Sequence, residues 1–211
     1  MSGNHRLLAA AAAASLLTGC AALPASTANH AHTPPATPGH TANGLAYSTA
    51  SAGAVQPMPA PGTCHYRGSG LFAQPDPRCG PGALNPAVTQ ANLKQTICRP
   101  GGYTRSVRPP KRVTEPEKRA LMAAYGNTAP LSTVQLDHII SLSADGAVND
   151  AANLYPEPDY RGVSPDSYYH NPKDKLEERL FELVCRGHMS LARAQAALAH
   201  DWPAAYRRYV P

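Results

Sequence analysis

Cys64, Cys79, Cys98 and Cys185 lie downstream of an apolar N-terminal run, and no other feature limits the possible folds so tightly. The run Leu7 to Leu17 follows His5 and Arg6. It is shorter than the roughly 20 apolar residues a membrane span needs, so it predicts the h-region of a signal peptide. Cysteines exported to an oxidising compartment pair. Three pairings are open, of which a local clip, Cys64–Cys79, with a long-range staple, Cys98–Cys185, is the one expected. Loop-closure entropy makes that staple worth about 4–5 kcal/mol. Zinc held by the cysteines is disfavoured, because none of them forms a short-spaced pair.

The run ends in Leu17-Thr18-Gly19-Cys20, which resembles the lipobox of bacterial lipoproteins. The resemblance implies a signal peptide over residues 1–19 and a mature chain that begins at a diacylglyceryl Cys20. Ala21 and Ala22 follow, without an aspartate that would retain the protein at an inner membrane. The expected location is therefore the cell envelope, at the periplasmic face of an outer membrane or at the cell surface. Residues 20–62 are dominated by Ala, Pro, Thr, Ser and Gly and lack apolar periodicity. Such a segment buries too little surface to offset its chain entropy and is expected to be a disordered tether. About 40 flexible residues reach roughly 35 Å. His30, His32 and His40 fall in this tether and read as spacer residues.

Residues 63–112 form an irregular segment rich in Cys, Pro and Gly, with a short helix expected from Ala87 to Thr96 behind Pro86. Positive charge then gathers in Arg99, Arg105, Arg108, Lys111, Arg112, Lys118 and Arg119. With a net charge of +5 and a pI near 9.0, the chain favours a polyanionic partner. Residues 113–211 carry the regular structure. Thr114 and Glu117 form a capping-box pattern that predicts a helix ending at Gly126. An extended stretch runs from Val134 to Leu142 around Asp137-His138, a turn follows at residues 143–146, and a second strand spans Ala152 to Tyr155. After a loop over residues 156–170, Asn171 caps a helix whose Leu176, Leu180, Leu183 and Val184 share a face, and Gly187 ends it. Ser190 caps a last helix, and Asp201-Trp202-Pro203 closes the domain.

The run Leu136-Asp137-His138-Ile139-Ile140-Ser141-Leu142, followed by Asn153-Leu154-Tyr155-Pro156-Glu157-Pro158, resembles the ββα-metal motif of HNH endonucleases. The stretches Thr96-Ile97-Cys98, Gly102-Tyr103-Thr104 and Val107-Arg108-Pro109, with the helix carrying Lys173-Asp174 and Leu176-Glu177 and then Leu183-Val184-Cys185, are similar to a secreted subgroup of that family. The resemblance covers roughly residues 76–206. It implies an α+β fold with a small ββα-metal (HNH) core, flanking helices and disulfide staples. It also implies a catalytic pair, with His138 the general base and Asn153 bracing the loop that holds it. Asp137 and Asn171 fall at the metal-ligand positions, with His170 the alternative to Asn171. Oxygen ligands suit Mg²⁺ or Mn²⁺ better than Zn²⁺. Lys173, Arg105 and Arg108 are candidates for phosphate contacts, although Lys173 could instead pair with Glu177 four residues on. Glu157 reads as structural. The chain departs from the family in having Asp145-Gly146 where a Gly pair is common, and Asn171 where His is common.

The implied function is metal-dependent hydrolysis of nucleic acid outside the cytoplasm by a monomer, with DNA favoured over RNA. Sequence tolerance follows from the lack of a separate recognition module. The rival expectation is a non-catalytic envelope lipoprotein that keeps the fold as a scaffold. A secreted toxin is disfavoured by the anchor and by the lack of a receptor-binding domain.

Overall fold

A computed structural model describes residues 43–159 and 171–211. The signal peptide, Cys20, tether residues 21–42, His170 and loop residues 160–170 lie outside the described residues. The described chain is mixed α+β. In order, it forms β1 (Ala46–Tyr47), β2 (Ala83–Leu84), α1 (Thr104–Val107), α2 (Lys111–Ala124), β3 (Val134–His138), β4 (Leu154–Pro158), α3 (Pro172–Cys185) and α4 (Leu191–Tyr209), with short 3-10 turns between them. β1 and β2 pair in parallel, while β3 and β4 form an antiparallel pair in which His138 faces Leu154 and Leu136 faces Pro156. Pro156 is tolerated because a two-stranded sheet has only edges.

Two apolar clusters hold these elements. Leu176, Leu180 and Val184 of α3 pack with Leu198 and Trp202 of α4 and with Ile140 and Leu84. A second cluster joins Leu121 and Tyr125 at the end of α2 to Ile139, Leu154 and Tyr155. Both expected disulfides are present, Cys64–Cys79 and Cys98–Cys185. The second ties the irregular segment to the end of α3.

Several elements differ from their sequence reading. Residues 43–62, expected to be tether, lie against the domain: Leu45 is buried, β1 pairs with β2, and the Gly62 N–H donates to the Ala123 carbonyl. Small residues conceal this segment, because its attachment uses backbone groups rather than an apolar stripe. Helix α2 begins at Lys111, three residues ahead of the expected start. The Thr114–Glu117 box is not used, since the Glu117 side chain turns inward and accepts from the Gln56 backbone N–H at 2.8 Å and from Asn149 at 3.1 Å. The helix expected over residues 87–96 is a series of turns around Gln90–Asn92. There the Asn92 side chain binds the Thr89 N–H and the Ala87 carbonyl, competing with helical bonding. β4 starts at Leu154, because Ala151–Asn153 forms a 3-10 turn capped by Asp150. Asp201-Trp202-Pro203 kinks α4 instead of ending it; Asp201 leaves helical geometry and its carboxylate caps the Ala204 N–H.

The caps of α3 and α4 match the sequence. Asn171 and Asp174 form a reciprocal capping box, Gly187 adopts a positive φ of 75° past the helix end, and the Ser190 hydroxyl accepts from the Arg193 N–H.

Candidate functional site

β3 stops at His138 rather than reaching Leu142, and the cause is Asn153. This wholly buried side chain accepts from the Ile140 N–H at 2.9 Å and donates to the Ile140 and Ala147 carbonyls at 3.0 and 2.9 Å. The backbone after His138 is thereby pulled out of the ladder into a tight loop. Gly146 completes the loop: a Cβ there would lie 1.7 Å from the Ile140 oxygen and 2.7 Å from the Asn153 amide nitrogen. Only glycine fits. Asp145 beside it takes the left-handed conformation, with φ of 70°. Asn153 therefore positions the loop and does not reach out to a substrate.

His138 sits at the mouth of this loop with 9% of its surface exposed. Its Nε2 lies 3.0 Å from the Val148 carbonyl oxygen. A carbonyl can only accept, so Nε2 carries the proton and the lone pair resides on Nδ1. No hydrogen bond among the described residues engages Nδ1. Burial lowers the imidazole pKa below 6.5, partly offset by the Val148 hydrogen bond and by Asp137. A neutral imidazole with a free Nδ1 can take a proton near neutral pH. Arg108 is exposed, and its charge acts on His138. Arg105 is also exposed, on α1, and no contact among the described residues joins it to His138.

Behind the strand, Lys173 is 1% exposed. Its Nζ donates to Asp137 Oδ2 at 2.6 Å, to the His138 carbonyl at 2.7 Å and to Glu177 Oε1. All three ammonium protons are thus used. Burial alone would lower this pKa, but Asp137, Glu177 and Glu157 outweigh it and hold the amine protonated. The expectation that Lys173 contacts phosphate is corrected on both counts, since it is inaccessible and saturated. Its pairing with Glu177 holds, as a buried contact rather than a solvated one.

Glu157 on β4 completes the buried group. Its Oε2 accepts from Asn171 Nδ2 at 3.0 Å, and its Oε1 is buried without a hydrogen-bond partner. Burial, reinforced by repulsion from Asp137, raises its pKa well above the ordinary carboxylate range. Asn171 also donates to the Pro158 carbonyl at 3.2 Å, while its backbone and side chain form the α3 cap. Two acceptors fix the orientation of its amide, and its oxygen serves the helix.

The HNH plan expects a divalent ion between Asp137 and Asn171. The residues do not fit that plan as arranged: the inner oxygen of Asp137 holds an ammonium, and the carboxamide of Asn171 is spent on Glu157, Pro158 and the helix end. The structure does bring Asp137, His138, Asn153 and Lys173 to one end of the β3–β4 pair. Sequence reasoning missed the role of the Val148 carbonyl, which no side-chain pattern could reveal. It also missed the burial of Glu157, for which the apolar company of Leu154 and Tyr155 was the available signal. Compared with family models, curated proteins and solved structures, the chain matches none.

Proposed function

We propose that this protein is an HNH-type endonuclease that hydrolyses phosphodiester bonds of nucleic acid, DNA in preference to RNA, outside the cytoplasm. The observation that carries the reading is the His138–Val148 hydrogen bond, which leaves a neutral imidazole with its lone pair on Nδ1. In the proposed step Nδ1 removes a proton from water. The water oxygen then bonds to phosphorus as the phosphorus–oxygen bond to the departing nucleotide breaks. Arg108 is an exposed cation whose charge reaches the base, and it suits the charge that grows on the phosphate. Support for the ββα-metal core comes from the β3–β4 pair, the bracing Asn153 and the capped α3 that follows. Export and lipid anchoring through Cys20 draw support from the lipobox-like run and from two disulfides.

A second reading has a specific observation in its favour. Asp137 and Asn171, the implied metal ligands, are both engaged by other groups, as they would be in a scaffold that no longer cuts. The deciding experiment incubates the full chain with supercoiled plasmid, in Mg²⁺, in Mn²⁺ and in EDTA, beside His138→Ala. Nicking that disappears in the variant supports the nuclease. Intact plasmid under every condition, with folded protein, favours the scaffold.

A further inference from the structure

The position of Lys173 has a consequence for how the site obtains its positive charge. Its ammonium is enclosed by a carboxylate oxygen of Asp137 at 2.6 Å, the His138 carbonyl oxygen at 2.7 Å and Glu177 Oε1. These are hard oxygen donors of the kind that hold Mg²⁺ or Mn²⁺. The unpartnered, buried Oε1 of Glu157 belongs to the same charge cluster. An ammonium has three N–H groups and meets three acceptors here, so its bonding is complete. A divalent ion entering among these oxygens would have to expel Lys173, whose Nζ is buried and whose helix is fixed by the Asn171–Asp174 cap.

We propose that the Lys173 ammonium is the resident cation of this site, seated among the oxygens of Asp137, His138 and Glu177, and that it excludes a divalent ion there. The inference rests on reading Asp137-His138 as the functional site. Its test measures metal occupancy rather than cleavage, so it stands or fails independently of nuclease activity. Replacing Lys173 with an uncharged residue of similar length then opens a vacancy that a divalent ion can fill.

The experiment titrates Mn²⁺ into the full chain and follows the electron paramagnetic resonance signal of the free ion. Variants are Lys173→Met, Asp137→Asn and the two combined. Expected is no Mn²⁺ uptake by wild type that Asp137→Asn removes, about one equivalent taken up by Lys173→Met, and loss of that uptake in the double variant. Comparing wild type with Asp137→Asn discounts ions bound elsewhere on the chain. Asp137-dependent uptake by wild type overturns the proposal, as does a folded Lys173→Met that takes up none. Should Lys173→Met fail to fold, the wild-type protein decides through the ¹H–¹⁵N resonance of the Lys173 ammonium. A protected signal unmoved by Mg²⁺ upholds the proposal, and one that shifts or vanishes as Mg²⁺ is added overturns it.

Discussion

His138 and Val148 are joined across the site loop by a 3.0 Å contact between the imidazole Nε2 and a backbone carbonyl. One hydrogen bond thus sets both the tautomer and the direction of the ring. A loop residue with no chemistry of its own aims the proposed base.

Burial places the folded-state pKa of His138 below 6.5. Between 6.5 and that lower value the unfolded chain binds a proton at His138 that the native protein does not, so the His138 contribution to stability falls as pH drops through this window and is constant above it. Activity should follow the folded-state value, with an acid limb centred below pH 6.5. A pH profile of plasmid nicking and an ¹⁵N titration of the His138 ring measure the two quantities. A ring that titrates above 6.5, or carries its neutral-state proton on Nδ1, contradicts the assignment.

Val148 is followed by Asn149, whose amide donates to the Ser51 and Ala54 carbonyls at 3.3 and 2.8 Å and to Glu117. Asp150 then accepts from the Ser48 hydroxyl at 2.5 Å. The segment over residues 48–56 is therefore strapped to the loop that aims His138. Asn149→Ala removes one donor from each of these acceptors, while Gln56 still donates to all three, so it should cost about 0.5–1.5 kcal/mol. Its ¹⁵N spectrum should also show His138 losing its single tautomer. Thermal denaturation alongside that spectrum checks both. A destabilised variant with an unchanged His138 signal would confine Asn149 to a structural role.

The strap also shows where legibility ended. Elements announced by side-chain chemistry are readable: Asn171, Ser190 and Gly187 stand where their residue types put them, and of three open cysteine pairings the expected one is present. Elements held by backbone groups or by long-range partners are not. Ala46 and Tyr47 join a strand through main-chain bonds, and Glu117 abandons a local cap for Gln56 and Asn149. Asp137-His138 could be found as a candidate site from sequence. That Lys173 would sit buried between Asp137 and Glu177 could not, because a helical lysine four residues before a glutamate is ordinarily a surface pair.

Asn153→Ala strips hydrogen bonds from the Ile140 N–H, the Ile140 carbonyl and the Ala147 carbonyl. At about 1 kcal/mol or more for each buried group left unpaired, the loss should be at least about 3 kcal/mol. Asn153→Asp keeps the acceptor for Ile140 but turns a buried carboxylate oxygen on the Ile140 and Ala147 carbonyls, so it should be at least as destabilising as alanine. Urea denaturation of the three proteins gives the order, and equal stability of Asn153→Ala and wild type would remove Asn153 from its bracing role.

Cys98–Cys185 closes a sequence separation of 87 residues and Cys64–Cys79 one of 15. Loop-closure entropy gives about 4–5 kcal/mol for the long loop and about 3 kcal/mol for the short one. The long staple also joins the segment bearing Arg105 and Arg108 to the end of α3, so its loss should loosen the basic segment relative to the site. Cys98→Ser/Cys185→Ser should therefore lower stability more than Cys64→Ser/Cys79→Ser. It should also raise amide exchange over residues 99–108 while β3 and β4 stay protected. Hydrogen exchange read by mass spectrometry makes the comparison. Equal exchange in both variants would mean that packing of Ile97 and Tyr103 against α3 and α4, rather than the disulfide, holds that segment in place.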